Sequence, residues 1–310
     1  MDHLYRNNSK HRELFKVDTR NLIQQGSTEL SQIQKVGKCR WKQISRCSAQ
    51  PKIDSSSYFD MALLTGATSG IGWELAHQLS AQKIPLIVTG RDQKKLFQLE
   101  KKLGCFSFRA DLSLEEGRKK VMEVILEKRP TLMINNAGMA LYGNFLSHSL
   151  SEQMKLIHVN ADAIIELSYI AGKTLKSHGK KGVILNISSI AGEFPCPGMA
   201  TYSAAKALVT NFSKSLDYEL RSDGIRVLVT ILGQVKTNFA KRASKNKSFR
   251  RQEPAISAKL AAELIFRQIR KRKGVRIIPH YYSVLLPIAL SMPSQWICKK
   301  IFRSINNRIG

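Results

Sequence analysis

The stretch Met61-Ala62-Leu63-Leu64-Thr65-Gly66-Ala67-Thr68-Ser69-Gly70-Ile71-Gly72 runs from a short apolar segment into a glycine-rich turn, and a helical pattern over 73–82 follows it. A strand, a glycine turn and a helix in that order form a phosphate cradle. The glycines let the backbone bend tightly and approach a pyrophosphate, and the helix N-terminus adds free N–H donors and a positive dipole end. The spacing is G-x-x-x-G-x-G, not the G-x-G-x-x-G of the common dinucleotide fingerprint. Any tight connection also uses glycine, so the turn needs its context.

That context is a regular alternation. Short β-rich runs lie at 60–64, 86–89, 106–108, 132–135, 183–187 and 226–232, with another near 275–278. Helical patterns fall between them at 73–82, 114–127, 152–175, 202–220 and 259–270. Strands alternating with helices predict βαβ units: an α/β, doubly wound, Rossmann-like parallel sheet with helices on both faces. The second run ends at Thr89-Gly90-Arg91-Asp92. An acidic group at that tip favours the ribose of NAD, whereas an arginine pairs with the 2′-phosphate of NADP. Arg91 makes NADP(H) the expected cofactor over NAD(H), and Asp92 has an equal claim as a helix N-cap.

The chain has 310 residues, enough to bury a core without staples. Its apolar fraction of 43% with 24% charged residues excludes wholesale disorder, collagen and a polytopic membrane protein. The net charge is +27, concentrated at the ends: residues 1–57 hold 11 Lys and Arg against 5 Asp and Glu, and residues 241–310 hold 17 against 2. Such charge points to an anionic neighbour: nucleic acid, an acidic membrane face or a phosphorylated ligand. The five cysteines are scattered and no Cys/His group has zinc spacing, so free thiols, no metal and a reducing compartment are expected. The expected organisation is a basic flexible extension at 1–57, a catalytic dinucleotide-binding domain at 58–280, and a basic and apolar C-terminal segment at 281–310.

Tyr202-Ser203-Ala204-Ala205-Lys206 puts a phenol and an ammonium on one helix face. A phenol titrates near ~10, and a neighbouring cation brings it towards the working range. Upstream, Asn186-Ile187-Ser188-Ser189 ends a strand, where open α/β sheets bind ligands, and a serine there can donate to a carbonyl oxygen. Asn135-Asn136-Ala137-Gly138 ends another strand, either as part of the cleft or as a turn using Asn and Gly for their backbone tolerance.

Together these residues closely resemble the short-chain dehydrogenase/reductase family in its single-domain branch. The resemblance rests on T-G-x-x-x-G-I-G at 65–72, N-N-A-G at 135–138, Ser189 upstream of Tyr202, and Tyr202-x-x-x-Lys206. It implies an oxidoreductase that interconverts a carbonyl and an alcohol by hydride transfer. Tyr202 is then the general acid/base, Lys206 lowers its pKa and binds the nicotinamide ribose, and Ser189 rather than Ser188 polarises the carbonyl. Asn160, in Val159-Asn160-Ala161, matches a helix asparagine that holds a water in a relay to the lysine, and Asp111 matches the residue beside the adenine. The implied cofactor contacts are Gly66, Thr68, Ser69, Gly70, Ile71, Gly72, Arg91, Asp111, Asn136, Ala137, Gly138, Tyr202, Lys206, Gly233, Val235 and Thr237. Two departures stand out. The family's Pro-Gly after the sixth strand is Leu232-Gly233 here, so a less rigid loop is expected. Thr68 stands where relatives using NADP often carry a second base in the glycine turn.

The segments expected to border the substrate include Met139, Leu141, Phe194, Pro195, Cys196, Met199 and Phe239, which suit a lipophilic ketone or alcohol if they are not simply core. Glu193 is expected to face solvent. Residues 279–297 contain no charged side chain other than the neutral-to-cationic His280, but three prolines interrupt them. They read as an interfacial anchor, a substrate-covering or dimer-contacting lid, or a span. A homo-oligomer, a cytoplasmic location with peripheral contact to an anionic membrane surface, and no nucleic-acid partner are expected. The competing reading is a non-catalytic cofactor sensor, or a nucleic-acid- or membrane-binding protein, on a reductase scaffold.

Overall fold

A computed structural model of the chain describes residues 59–245 and 254–309. The expected extension at 1–57 lies outside the described residues.

Seven strands form one parallel sheet in the order β3-β2-β1-β4-β5-β6-β9. They are β1 (Ala62–Thr65), β2 (Leu86–Gly90), β3 (Phe106–Arg109), β4 (Leu132–Asn135), β5 (Gly182–Ser189), β6 (Ile225–Leu232) and β9 (Val275–Ile278). The order reverses between β1 and β4, which pair as Ala62 with Leu132 and Leu64 with Ile134. That reversal opens the crevice at the carboxyl ends where such sheets bind ligands. The expected doubly wound, Rossmann-like sheet is therefore the fold. Strands covered on both faces must be apolar throughout, and β1 and β4 are buried at every residue.

The helices are α1 (Gly70–Ala81), α2 (Gln93–Leu103), α3 (Glu115–Lys128), α4 (Leu150–Ile157), α5 (Ala163–Ser177), α6 (Ala200–Leu220), α7 (Phe239–Ala243), α8 (Ala258–Arg270), α9 (Tyr281–Leu290) and α10 (Ser294–Ile309). On one face Leu75 and Leu79 of α1, Leu96 and Leu99 of α2, and Ile265 and Ile269 of α8 pack against Leu64, Val88 and Ile134. Helix α2 was not among the expected helices. Asp92 caps its N-terminus by accepting from the Lys95 N–H, and Gly104 ends it in the left-handed conformation. The expected continuous helix over 152–175 is interrupted by a π turn, His158–Asp162, between α4 and α5. An ion pair group around buried Asp217 closes the far end of β6: Asp217 accepts from Arg221, Arg226 and the Val227 N–H, at 2.9, 2.8 and 2.8 Å.

After β6 the chain does not run loose at Leu232. Leu232 pairs with both Ser189 and Ile278, and the Gly233 N–H donates to the Ile278 carbonyl at 2.7 Å. The next residues form β7 (Val235–Lys236), paired in parallel with β8 (Ile256–Ser257). Pairing on two sides supplies the restraint that a proline would otherwise give. The C-terminal segment packs onto the preceding domain: Ile305 is buried in a second apolar cluster with Tyr202, Cys196, Leu141 and Ala243. Among the described residues no helix is long and apolar enough to cross a membrane.

Candidate active site

One cleft of about 1140 Å³ lies along the carboxyl ends of the strands and reaches under α9 and α10. Its floor starts at the glycine turn. Gly66 has φ of +69°, and a Cβ there would stand 2.8 Å from the Ala137 Cα. A Cβ on Gly72 would stand 2.3 Å from the Gly66 carbonyl oxygen and 2.5 Å from Asn136 Nδ2. The turn is thus folded against the residues that follow β4, and only glycine fits. The contact is cemented by Thr65, whose hydroxyl accepts from the N–H groups of Asn136 and Ala137, both at 3.1 Å. The Asn136 amide in turn donates to the Thr65 and Gly66 carbonyls at 2.9 and 3.3 Å. Asn136 therefore builds the turn as well as lining the cleft. Ser69 precedes α1 but caps it with no side-chain hydrogen bond, which leaves the first N–H groups of that helix for an anion.

At the other end of the cleft, Ser189 finishes β5 while Tyr202 and Lys206 stand on α6. The Ser189 hydroxyl hydrogen-bonds Tyr202 and accepts from the Ala191 N–H at 3.2 Å. The hydroxyl of neighbouring Ser188 is turned to α6, donating to the Lys206 carbonyl at 2.9 Å and pairing with Thr210. Lys206 Nζ donates to the Ile187 carbonyl at 2.8 Å and lies 5.8 Å from the Tyr202 ring centre. Burial sets the electrostatics of both groups. It pushes the Tyr202 phenol above its ordinary value, with the Ser189 hydrogen bond pulling the other way. It lowers the Lys206 ammonium from 10.5 to about 8. Among the protein's own groups, then, desolvation of Tyr202 outweighs the lowering by the Ser189 hydrogen bond.

Asn160 sits in the π turn, fully buried, with its amide spent on Met139: it accepts from the N–H at 3.1 Å and donates to the carbonyl at 2.6 Å. It is also the neighbour of Gly138, where a Cβ would stand 3.1 Å from Asn160 Oδ1 and 3.7 Å from Lys206 Nζ. The extra residue of the π turn brings this side chain to the strand tip.

Gly66, Thr68, Ser69, Gly70, Ile71, Arg91, Asp111, Asn136, Ala137, Gly138, Ser189, Tyr202, Lys206, Gly233, Val235 and Thr237 all line the cleft. Gly72 and Asn160 do not; they lie behind the wall and shape it. Asp111 uses one carboxylate oxygen to accept from the Ser113 N–H and hydroxyl at 3.0 and 2.8 Å, and it fixes the start of α3. Of the expected substrate border, Met139, Leu141, Phe194, Cys196, Met199 and Phe239 line the cleft, and Pro195 instead offers its carbonyl to Cys298. Glu193 does not simply face solvent, because it accepts from the Thr210 hydroxyl at 3.1 Å. The sequence reading missed Thr65, Tyr142, Arg242 and Tyr282. The Tyr282 ring occupies the space beside Gly233, where a Cβ would stand 2.1 Å from it.

The chain matches the short chain dehydrogenase family over residues 60–248. It is 30% identical to sulfoacetaldehyde reductase 2 of Chromohalobacter salexigens over 67% of this chain and 87% of that protein. It is 29% identical to the very-long-chain 3-oxoacyl-CoA reductase of Bos taurus over 81% of this chain and 80% of that protein. Among solved structures, a short-chain dehydrogenase from Sphingobium yanoikuyae in complex with NADPH superposes with a TM-score of 0.65, at 26% identity, over 75% of this chain and 96% of that one. Fold, cleft and sequence agree: this chain belongs to the short chain dehydrogenase family, NAD(P)H-dependent oxidoreductases acting on carbonyl and alcohol groups.

Proposed function

We propose that the protein interconverts a lipophilic ketone or aldehyde and its alcohol, using NADP(H) in preference to NAD(H). The observation that carries this reading is the meeting, in one cleft, of the Gly66–Gly72 turn with the Ser189, Tyr202 and Lys206 side chains. The residues fit a dinucleotide: a turn that only glycine can make leads to an uncapped helix N-terminus, and Arg91 lies beyond the tip of β2. Bound there, the nicotinamide nucleotide supplies the hydride donor or acceptor.

The protein's own groups do the rest. Tyr202 gives a proton to the carbonyl oxygen in reduction and takes it back in oxidation. Ser189 hydrogen-bonds the same oxygen, holding it against the phenol. Lys206 favours the phenolate electrostatically and reaches towards the nicotinamide ribose. Gly138, Gly233, Val235 and Thr237 would border the nicotinamide arm, and Asp111 and Asn136 the adenosine arm. Asn160 acts as a positioning residue: it fixes Met139, and any relay water is left to its backbone.

Residues 58–280 are read as the catalytic unit and 281–310 as its lid. Leu285, Ile288 and Met292 both line the cleft and are about half exposed, so the mouth has an apolar rim. Trp296 stands 71% exposed beside Lys299, Lys300 and Arg303, and 281–310 holds no acidic residue. That pattern suits a cytoplasmic protein in peripheral contact with an anionic membrane surface, with a lipophilic substrate entering at the rim. Flotation with anionic liposomes tests the contact: Ile288→Glu with Trp296→Glu should release the protein, and unchanged partition contradicts it. A homo-oligomer completes the proposal, and sedimentation velocity tests it.

Nicotinamide fluorescence with NADPH and NADH tests the cofactor assignment. NADPH should bind more tightly, and Arg91→Ala should bring the two nucleotides to parity. Equal binding by the unaltered protein contradicts the preference.

A further inference from the structure

Arg242 is 173 residues from Ser69 in sequence, yet its guanidinium donates to the Ser69 hydroxyl at 3.4 Å. It reaches the glycine turn from α7, across the cleft. Arg242 and Arg91 both line that cleft beside Thr68, Ser69 and Gly90. They are close enough that the charge of Arg91, after desolvation, is what holds Arg242 below the ordinary guanidinium value. Among the described residues, neither guanidinium has a carboxylate within ion-pairing distance. The nearby acids are already engaged: Asp92 caps α2, Asp111 holds Ser113, and Glu152 pairs with Lys245. Two cations within electrostatic range of each other, beside a turn of glycine and hydroxyl residues, suit a doubly charged phosphate monoester.

We propose that Arg242 is the second cation for the 2′-phosphate of NADP(H), closing over that group opposite Arg91. This rests on the cofactor reading above and adds a residue to it. The glycine turn at 65–72 carries no Lys or Arg, and α7 supplies a charge from the opposite wall. Helix α7 also presents Phe239 to Tyr202, with ring centres 6.0 Å apart, and its Ala243 carbonyl accepts from the Tyr142 N–H at 3.0 Å. A phosphate held by Arg242 would therefore also fix the helix that covers the catalytic tyrosine. Nucleotide binding then prepares the substrate arm.

The test is direct binding of NADPH and NADH to the full chain and to Arg242→Met, Arg242→Lys, Arg91→Ala and Lys241→Ala. Lys241 is exposed on the same helix and outside the cleft, so it controls for the loss of one charge. Arg242→Met should weaken NADPH by roughly tenfold or more, as expected for loss of a charged hydrogen-bond partner, and leave NADH within about twofold. Arg242→Lys should recover part of that loss, and Lys241→Ala should change nothing. Free 2′,5′-ADP should compete with NADPH about tenfold more weakly on Arg242→Met. Equal weakening of both nucleotides by Arg242→Met would place the residue on the pyrophosphate and overturn the proposal, as would no weakening of either. If NADPH binds the unaltered chain and responds only to Arg91→Ala, the cofactor reading stands and the role of Arg242 falls. If the unaltered chain binds neither nucleotide, the cofactor reading itself fails.

Discussion

Lys206 Nζ lies 5.8 Å from the centre of the Tyr202 ring, one helical turn away on α6, and is held there by the Ile187 carbonyl at 2.8 Å. The strand that ends at Ser189 thus anchors the ammonium beside the phenol. Both groups are buried, and burial moves them in the directions that disfavour their charged forms. The consequence is a pH dependence with a defined sign.

Lys206 titrates at about 8 in the folded chain, below the 10.5 of an exposed lysine. Between those values the unfolded chain binds more protons, so this group's contribution to stability rises with pH across the window. Activity that needs the ammonium moves the other way. Reduction measured at saturating nucleotide should decline from about pH 8 upward. Lys206→Arg, if it retains activity, should carry the decline to higher pH, because a guanidinium does not titrate there. A high-pH limb that stays in place in Lys206→Arg would assign it to another group.

The amide of Asn160 satisfies both backbone groups of Met139. Asn160→Ala removes the partner of the part-buried Met139 N–H and C=O, at a cost of up to about 1–3 kcal/mol for each group that stays unsatisfied. Asn160→Asp keeps the acceptor but turns an oxygen against the Met139 carbonyl. Both should lower the thermal midpoint, and an unchanged midpoint in both would remove Asn160 from its positioning role.

Gly72 and Gly104 separate crowding from backbone strain. A Cβ on Gly72 meets the Gly66 carbonyl and Asn136, whereas one on Gly104 meets nothing within 4 Å although its φ is +63°. Gly72→Ala should abolish nucleotide binding or reduce it by more than tenfold. Gly104→Ala should cost about 1–2 kcal/mol of stability, the left-handed penalty, and leave binding intact. Nucleotide titration and chemical denaturation on the two variants check this.

Helix α9, in the segment proposed as a lid, is seated by Tyr282 against Gly233. Gly233→Ala drives a methyl group into the Tyr282 ring and should displace α9, raising the substrate KM several-fold. Adding Tyr282→Ala removes the obstacle and should recover much of the loss. A double variant no better than Gly233→Ala alone would show that the ring is not the obstacle.

Much of this was legible in the sequence because the informative features are local. The strands at 86–89, 132–135 and 183–187 are apolar runs, as strands covered on both faces must be, and Gly66, Ser189, Tyr202 and Lys206 sit at fixed places relative to them. Helix α2 carried a readable signal, Asp92 as its cap with Leu96 and Leu99 on one face, that the reading assigned only in part. The π turn at Asn160 was not legible: one extra residue in a turn leaves no gap in a continuous apolar helical pattern. Tyr282 against Gly233, Ile305 in one apolar cluster with Tyr202, and Arg242 against Ser69 join distant segments, which periodicity cannot reveal. Nor could spacing show that burial raises the Tyr202 phenol and lowers the Lys206 ammonium; that depends on how completely α6 and the C-terminal segment exclude water.

The central claim is that Tyr202 moves the proton in a carbonyl reduction. The most direct measurement is NADPH consumption with a panel of lipophilic ketones by the unaltered protein and by Tyr202→Phe. The substitution keeps the ring beside Phe239 and removes only the hydroxyl. Turnover of at least one ketone should fall by roughly 10²–10⁴-fold in Tyr202→Phe, with NADPH affinity unchanged. Equal turnover by both proteins, with NADPH bound normally, would contradict the account.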